Sequence, residues 1–156
     1  MPTNKGKAFE AKFLEDFSKL EDVSIDRIYD SVSGYKTISN ISDFICYHLP
    51  NIFYVECKSI LGNTFNLKGL RQYDKLVKKV GIPGVRTGVI IWFIDHNKVV
   101  YVPTSEVTKM KADGVKSVHI KYLTTQEYKI IEIPSQKRIT YMDSDYSVLF
   151  NLNEGE

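Results

Sequence analysis

The stretch from Gly88 to Ile94, GVIIWFI, is the feature that most limits the folds open to this chain. Every side chain after the glycine is apolar, so both alternating faces of an extended strand would be hydrophobic. A strand of this kind lies in the middle of a sheet that is covered on both faces. We therefore expect a layered α/β domain in which this segment is a central strand with helices on either side.

The patterning around this strand agrees with an α/β arrangement. Phe9, Phe13 and Phe17 recur at helical spacing and predict a helix from Asn4 to about Leu20. Other segments have the character of helices or strands. Further helices are predicted over 66–81 and from Thr104 or Ser105 onward. Strands are predicted over 23–29, over 99–102, as two strands within 42–59, and after Val115 in VHI, YKIIEI and RITYM. This order predicts a mixed sheet with helices on its faces.

Size and composition set limits on the class of protein. A chain of 156 residues, 43% of them hydrophobic, suits one domain over 1–156, in which residues 151–156 form a polar tail. The net charge of +2 does not by itself indicate a nucleic-acid-binding protein. Cys46 and Cys57, without a secretory segment, favour a reducing intracellular compartment. No apolar run reaches the roughly 18 residues of a membrane-spanning helix, so we expect a soluble, cytoplasmic protein.

Three charged residues interrupt the apolar runs of residues 42–59, SDFICYHLPNIFYVECKS. Side chains alternate along a strand, so Glu56 and Lys58 would share one face. In an antiparallel hairpin closed by the turn HLPN, the carboxylate of Asp43 would lie near Glu56 on that face. Two carboxylates and a lysine on rigid strands suit a Mg²⁺ site. Such a site can hydrolyse a phosphodiester, because the ion activates water and polarises phosphate while lysine offsets the charge that develops.

The tripeptide Glu-x-Lys alone has little specificity, because the chain contains it three times. Glu10-Ala11-Lys12 lies in the predicted first helix, where positions i and i+2 point apart. Glu127-Tyr128-Lys129 could be a strand, but Asp113 upstream of it lies in the turn signal ADG. Only the copy at residues 56–58 follows an acid in an apolar strand and a short hairpin turn.

Asp43, a gap of twelve residues and then Glu56-Cys57-Lys58 resemble the PD-(D/E)xK nuclease signature. More narrowly, four segments resemble RecU-type Holliday junction resolvases, including the shorter versions carried by phages of Firmicutes: NKGKAFE at 4–10, SDF at 42–44, ECKS at 56–59 and QYDKL at 72–76. The resemblance covers the chain from Asn4 to about Val102. It implies a restriction-endonuclease-like mixed β-sheet flanked by helices. It also implies a homodimeric, Mg²⁺-dependent endonuclease that nicks four-way DNA junctions symmetrically, in a bacterial cell or a phage-infected host.

The same resemblance assigns roles to individual residues by position. Asp43 and Glu56 would be metal ligands, helped by the backbone carbonyl of Cys57, for Mg²⁺ or for Mn²⁺ in its place. Lys58 would be the catalytic lysine and Glu10 a supporting acid on the first helix. Gln72 would make a contact from the helix that follows the core.

Basic and aromatic residues outside this cluster are candidates for DNA contacts. Those on the two helices are Lys5, Lys7 and Lys12, followed by Lys68, Arg71, Lys75, Lys78 and Lys79. The segment Ser33-Gly34-Tyr35-Lys36 combines a flexible glycine, an aromatic ring and a cation that could meet an exposed base. Solvated helix faces and an ordinary loop explain the same residues equally well.

Three functions therefore remain open. The first is a Mg²⁺-dependent, structure-selective endonuclease that acts on four-way junctions as a C₂ dimer, whose symmetry matches the junction. The second keeps the chemistry but cuts duplex DNA, as restriction and repair nucleases do. In the third, a non-catalytic DNA-binding module, Asp43, Glu56 and Lys58 would form a structural ion pair.

Overall fold

The computed structural model describes residues 4–29 and 40–152, together with the backbone of 31–33 and 36–38. Its helices and strands follow one another along the chain as α1 (Lys5–Ser18), β1 (Val23–Arg27), β2 (Ser31–Ser33), β3 (Lys36–Ile38), β4 (Phe44–His48), β5 (Asn51–Ile60), β6 (Thr64–Asn66), α2 (Tyr73–Val77), β7 (Val85–Phe93), β8 (Lys98–Pro103), α3 (Thr104–Ala112), β9 (Ser117–His119), α4 (Tyr122–Thr125), β10 (Ile131–Ile133), β11 (Ser135–Lys137) and β12 (Met142–Ser144). Short 3-10 helices occupy Leu67–Gly69, Ile94–His96 and Tyr146–Asn151.

A six-stranded sheet in the order β1-β4-β5-β7-β8-β10 forms the centre of the molecule. β5 and β7 run parallel, and the other neighbouring strands are antiparallel. β7 lies inside the sheet and is buried along almost its whole length. The predictions of a mixed sheet and of a central strand over residues 88–94 are therefore confirmed.

The sheet separates two hydrophobic layers. On the α1 face, Phe9, Phe13 and Phe17 pack against inward-facing residues of β4, β5 and β7. On the α2–α3 face, Leu76 of α2 and Val107 of α3 pack against the opposite side of β7 and β8. Each helix buries one apolar stripe, which is the arrangement that the helical spacing of the phenylalanines predicts.

Gly88 is required by the packing between two central strands. It stands opposite Pro103 in the β7–β8 ladder, and the ring of Tyr101 covers it so closely that a Cβ atom would overlap the ring. The Tyr101 side chain is buried among the residues of the α1 face. The glycine thus makes room for an aromatic ring in the core.

The prediction of one continuous helix over residues 66–81 is wrong. The structure has one 3-10 turn and the short α2, and the backbone of Leu70 between them is not helical, at φ −91° and ψ 78°. Leu70 is buried on the α2–α3 face, and Gly69 lies against the ring of Phe65. These packing contacts bend the segment where its periodicity alone predicts a continuous helix.

Three further predictions are refined at element ends. The helix predicted from Thr104 or Ser105 begins at Thr104, with Pro103 at the N-cap position, and the buried Thr104 hydroxyl accepts a hydrogen bond from Thr87 at 2.8 Å. The segment RITYM is a turn leading into β12, in which the Arg138 N–H donates to the Tyr141 carbonyl at 2.8 Å. Of the segment YKIIEI, only Ile131–Ile133 forms a strand.

Residues 30–40, predicted to be a loop, contain the short antiparallel pair β2–β3. Of the predicted tail, residues 153–156 fall outside the described part of the chain. No helix in the described residues is long and apolar enough to cross a membrane.

Candidate functional site

The β4–β5 hairpin brings the two predicted carboxylates together. The turn at Leu49 and Pro50 joins the strands in the register that pairs Phe44 with Val55 and His48 with Asn51. The same register, continued by one residue, sets Asp43 opposite Glu56. The hairpin and the pairing predicted from the sequence are both present.

Alternation along β5 sends its side chains to different faces of the sheet. Val55 and Cys57 lie in the core of the α1 face, whereas Tyr54 and Ile60 pack with the α2–α3 face. Glu56 is two residues after Tyr54 and Lys58 is two residues after Glu56, so both side chains point to the α2–α3 face, as Tyr54 does.

Backbone hydrogen bonds hold Asp43 in position. The Cys57 N–H donates to Oδ2 of Asp43 at 2.9 Å, and the Ile28 N–H donates to its carbonyl oxygen at 2.8 Å. The neighbouring Ser42 is buried, and its hydroxyl donates to the Phe44 carbonyl at 2.8 Å. Cys57 of β5 thus holds the Asp43 carboxylate, and Ile28, which follows β1, holds the Asp43 backbone.

Glu56 is an acid inside the core, with only 1% of its surface exposed. Its Oε1 atom is buried without a hydrogen-bond partner among the described residues. Burial, and then the charge of Asp43, raise the pKa of Glu56 well above the usual carboxyl range, while Lys58 acts in the opposite direction. The Lys58 ammonium lies 3.9 Å from Oε2 of Glu56, which is a distant ion pair and not a hydrogen bond.

The donor set fits a hard divalent cation. A buried carboxylate oxygen without a partner, beside a second carboxylate, is an arrangement that a bound cation would relieve electrostatically. In the described part of the chain, no group of three or more His, Cys, Asp or Glu side chains has the arrangement of a metal site. Asp43 and Glu56 would therefore supply two side-chain ligands, and backbone oxygen or water the rest, which suits Mg²⁺ because it keeps several waters.

Glu10 lies on α1, on the other side of the sheet from the Glu56 side chain. Its Oε2 accepts a hydrogen bond from Arg27 Nη2 at 2.6 Å. The Arg27 guanidinium also lies over the rings of Tyr29 and Phe44, at 5.0 and 5.7 Å from their centroids. Glu10 thus faces β1 through Arg27, and it does not join Asp43 and Glu56 as a third ligand side chain.

Arg27 is a polar residue near the site that the sequence analysis missed. It stands opposite Phe44 in the β1–β4 ladder, next to the Asp43–Ile28 backbone bond, and its Nε atom is buried without a partner. The alternation of Val23, Ile25 and Arg27 in β1 is the signal that would have placed it on the inward face.

Gln72 lies immediately before α2 and not within a helix. It occupies the N-cap position, but its side chain makes no capping bond, and its buried Oε1 has no partner among the residues that the structure describes. The neighbouring Leu70 and Leu76 belong to the core of the α2–α3 face. Gln72 is therefore on the same side of the sheet as Glu56 and Lys58.

The predicted basic strips are smaller than the sequence suggested. Lys12 is not available for DNA, because its ammonium lies 2.7 Å from both Asp16 and Asp143. The other predicted cations are exposed, except Lys79, which is half-buried over the ring of Tyr54: they are Lys5, Lys7, Lys68, Arg71, Lys75 and Lys78. Lys5 also lies over the Trp92 ring, and Lys75 also interacts within the chain. Tyr35 and the side chain of Lys36 fall outside the described residues.

Neither of the other two Glu-x-Lys copies lies on a strand paired with an acid, as residues 56–58 do. The first lies within α1. The second, Glu127-Tyr128-Lys129, follows α4 outside any strand, and Asp113 accepts a hydrogen bond from the Tyr128 hydroxyl at 2.6 Å.

Comparison with known proteins identifies the class of fold. No protein-family model matches the chain, and no curated protein matches its sequence. Among solved structures, it is similar to Archaeoglobus fulgidus Hjc, a Holliday junction resolvase from an archaeal hyperthermophile, with a TM-score of 0.50 and 15% sequence identity. The similarity covers 65% of this chain and 78% of that chain. At this identity it concerns the fold alone, and it confirms the predicted α/β fold with a mixed sheet flanked by helices.

Proposed function

We propose that this protein is a Mg²⁺-dependent, structure-selective DNA endonuclease of the RecU-type kind that resolves four-way junctions. One observation carries the proposal: Asp43 and Glu56 stand opposite each other on neighbouring strands, with Lys58 on the same face as Glu56. One Glu56 oxygen has no hydrogen-bond partner within the described part of the chain. The whole chain, 1–156, would act as a single nuclease domain.

The residues divide the chemistry among them. Asp43 and Glu56, helped by the Cys57 carbonyl, would hold Mg²⁺, or Mn²⁺ in its place. When bound, such an ion polarises a phosphate oxygen and lowers the pKa of water. The Lys58 ammonium would orient the attacking water and stabilise negative charge that builds up on the phosphate.

Two further side chains would support the site from either side. Glu10, held by Arg27, would supply negative potential near the sheet from the α1 face. Gln72 would contact the substrate from the start of α2, because its buried amide oxygen has no partner among the described residues. The surface cations of both strips, with Tyr35 and Lys36, would contact the DNA backbone.

The fold neighbour and symmetry together favour a junction as the substrate. Hjc is a Holliday junction resolvase, and the present chain has the same kind of fold. A four-way junction contains two equivalent strands that can be cut, so a homodimer with C₂ symmetry would present one site to each. Dimerisation is part of the proposal.

Cleavage of labelled DNA tests the proposal directly. An immobile four-way junction and a linear duplex of the same sequence are incubated with the wild type, with Asp43→Ala and with Asp26→Ala, which removes an exposed acid of β1. We expect Mg²⁺-dependent, symmetric nicking of the junction that Asp43→Ala abolishes and Asp26→Ala retains.

Each other outcome contradicts a stated part of the proposal. Equal cutting of the duplex would support a restriction or repair nuclease and reject junction selectivity. A folded wild type that cuts neither substrate with Mg²⁺ or Mn²⁺ would reject the nuclease assignment.

A further inference from the structure

The β11–β12 hairpin ends in an unusual turn. Residues 138–141 close it, and Ile139 at its tip is 95% exposed, the highest value among the large hydrophobic residues that the structure describes. Tyr141 beside it is 45% exposed. An isoleucine in this position contributes nothing to the core, and exposed turns normally carry polar residues and glycine.

The base of the hairpin is fixed to the body of the molecule. Asp16 of α1 accepts a hydrogen bond from the Ser144 N–H at 3.0 Å, and Asp143 pairs with Lys12 at 2.7 Å. Met142 and Tyr146 on either side of this contact are buried in the core of the α1 face. Ile139 is therefore presented on a rigid arm.

Cations surround the exposed isoleucine. Lys137 precedes it in β11 and has no carboxylate partner among the described residues, while Arg138 pairs with Asp143 at 2.5 Å. A groove of about 570 Å³ separates the hairpin tip from the N-terminal half of α1, and its charged lining residues are Lys5, Lys12 and Glu15, of which the last two are paired with each other. Lys5 and Lys137 have no carboxylate partner among the described residues, so the surface around the tip suits a polyanion.

The groove also lies close to the end of β5 that carries the candidate site. Its floor includes Trp92, whose partner in the β5–β7 ladder is Ser59, the residue after Lys58. Gly6 of α1 lies against the same Ser59. Trp92 belongs to the α1 face, whereas Lys58 points to the α2–α3 face, so the hairpin tip and the candidate site share one end of the sheet from opposite faces. DNA that bends around this end of the sheet would pass both.

We propose that the β11–β12 hairpin is a DNA wedge, in which Ile139 inserts at a base step beside the branch point of a junction. The inference rests on the proposed function for its substrate. Apolar side chains inserted between base pairs are an established way to unstack and kink DNA, and one side chain is enough at each step. A stable protein interface would need a much larger apolar surface than Ile139 and half of a tyrosine ring provide.

The fluorescence of 2-aminopurine reports base unstacking directly. The base analogue is placed next to the branch point of an immobile junction, in EDTA so that no cleavage occurs, and protein is added until anisotropy shows saturation. The proteins are the wild type, Ile139→Ser and Leu49→Ser. Leu49 is the matched control, because it is 72% exposed in the turn at the opposite end of β5.

We expect the wild type and Leu49→Ser to raise the fluorescence severalfold and Ile139→Ser to lose most of that rise at equal saturation. The wedge is rejected if Ile139→Ser matches the wild type. It is also rejected if Ile139→Ser changes only the oligomeric state in light scattering, since the tip would then contact protein. Cleavage in Mg²⁺ separates the two proposals: normal cutting without unstacking rejects only the wedge, and unstacking without cutting rejects only the nuclease.

Discussion

At the scale of single residues, Glu56 is the side chain whose position is hardest to explain by stability. An acid buried next to another acid, with one oxygen unpartnered among the described residues, destabilises a folded protein, because burial and the neighbouring charge both oppose its ionisation. Lys58, at 3.9 Å, is too distant to compensate fully. Acids in such surroundings occur mainly at functional sites, which favours a ligand role over a structural ion pair.

Replacing this acid by its amide tests that reasoning. We expect Glu56→Gln to unfold at the same temperature as the metal-free wild type or a higher one, because the amide keeps the shape and removes the cost of taking an ionisable group out of water. Junction cleavage should fall by about 10²-fold or more, as loss of an electrostatic catalytic group does. Thermal unfolding and single-turnover cleavage measure the two effects, and a large loss of stability with cleavage unchanged would point to a structural role.

The raised pKa of Glu56 also predicts a dependence of stability on pH. In the folded protein this carboxyl keeps its proton at pH values where the unfolded chain, with an ordinary value of about 4.3, has lost it. The folded state then binds more protons, so the free energy of unfolding falls as pH rises from about 4.3 towards the raised value. Urea unfolding without metal should show this decline in the wild type, and Glu56→Gln should reduce it.

At the scale of elements, the docking of the C-terminal hairpin on α1 depends on charges. Lys12 and Arg138 both bind Asp143, and they lower the pKa of its carboxyl to about 2. A lowered pKa stabilises the folded state above the ordinary aspartate value of about 3.9, and this contribution disappears as pH falls towards 2. The hairpin and α1 are therefore held together least well in acid.

Asp143→Asn should remove that dependence. We expect the variant to be less stable than the wild type at pH 7 and to lose less stability between pH 4 and pH 2, because the ionised carboxylate is already absent. Unfolding in urea at a series of pH values measures the difference. Parallel pH profiles for the two proteins would contradict the assigned role of Asp143, and Asp74→Asn, at an exposed acid of α2, is the control.

The contact between β7 and β8 gives a second test at this scale. Gly88→Ala would force its new methyl group into the ring of Tyr101, so we expect a loss of about 1–3 kcal/mol in the free energy of unfolding. Combining it with Tyr101→Leu should cost less than the sum of the two single changes, because the ring that clashes is gone. Strict additivity in urea unfolding would show that the two positions are not coupled.

At the scale of the whole molecule, metal binding and folding should be linked. A ligand that binds only the folded state raises stability, by about 2.7 kcal/mol at a hundredfold excess over its dissociation constant. We expect Mg²⁺ to raise the unfolding temperature of the wild type in a concentration-dependent way and to have little effect on Asp43→Asn. Equal responses of the two proteins, with Na⁺ matched for ionic strength, would place the ion elsewhere.

Local patterning accounts for much of this structure. The alternation of apolar and charged residues in 42–59 was enough to predict the hairpin and the shared face of Asp43, Glu56 and Lys58, since strand periodicity and a short turn leave little choice of register. The spacing of the phenylalanines likewise predicted α1, and the apolar run after Gly88 predicted the central strand.

Only the tertiary structure decided the features that depend on partners far away in the chain. Glu10 faces Arg27, seventeen positions away, and Asp16 accepts from Ser144 on a hairpin that the sequence did not indicate. Leu70 leaves the helical conformation in a segment whose periodicity is helical. The physical reason is the same in each case: periodicity reports which face of an element is buried, but the neighbour that covers it is set by the packing of the whole chain.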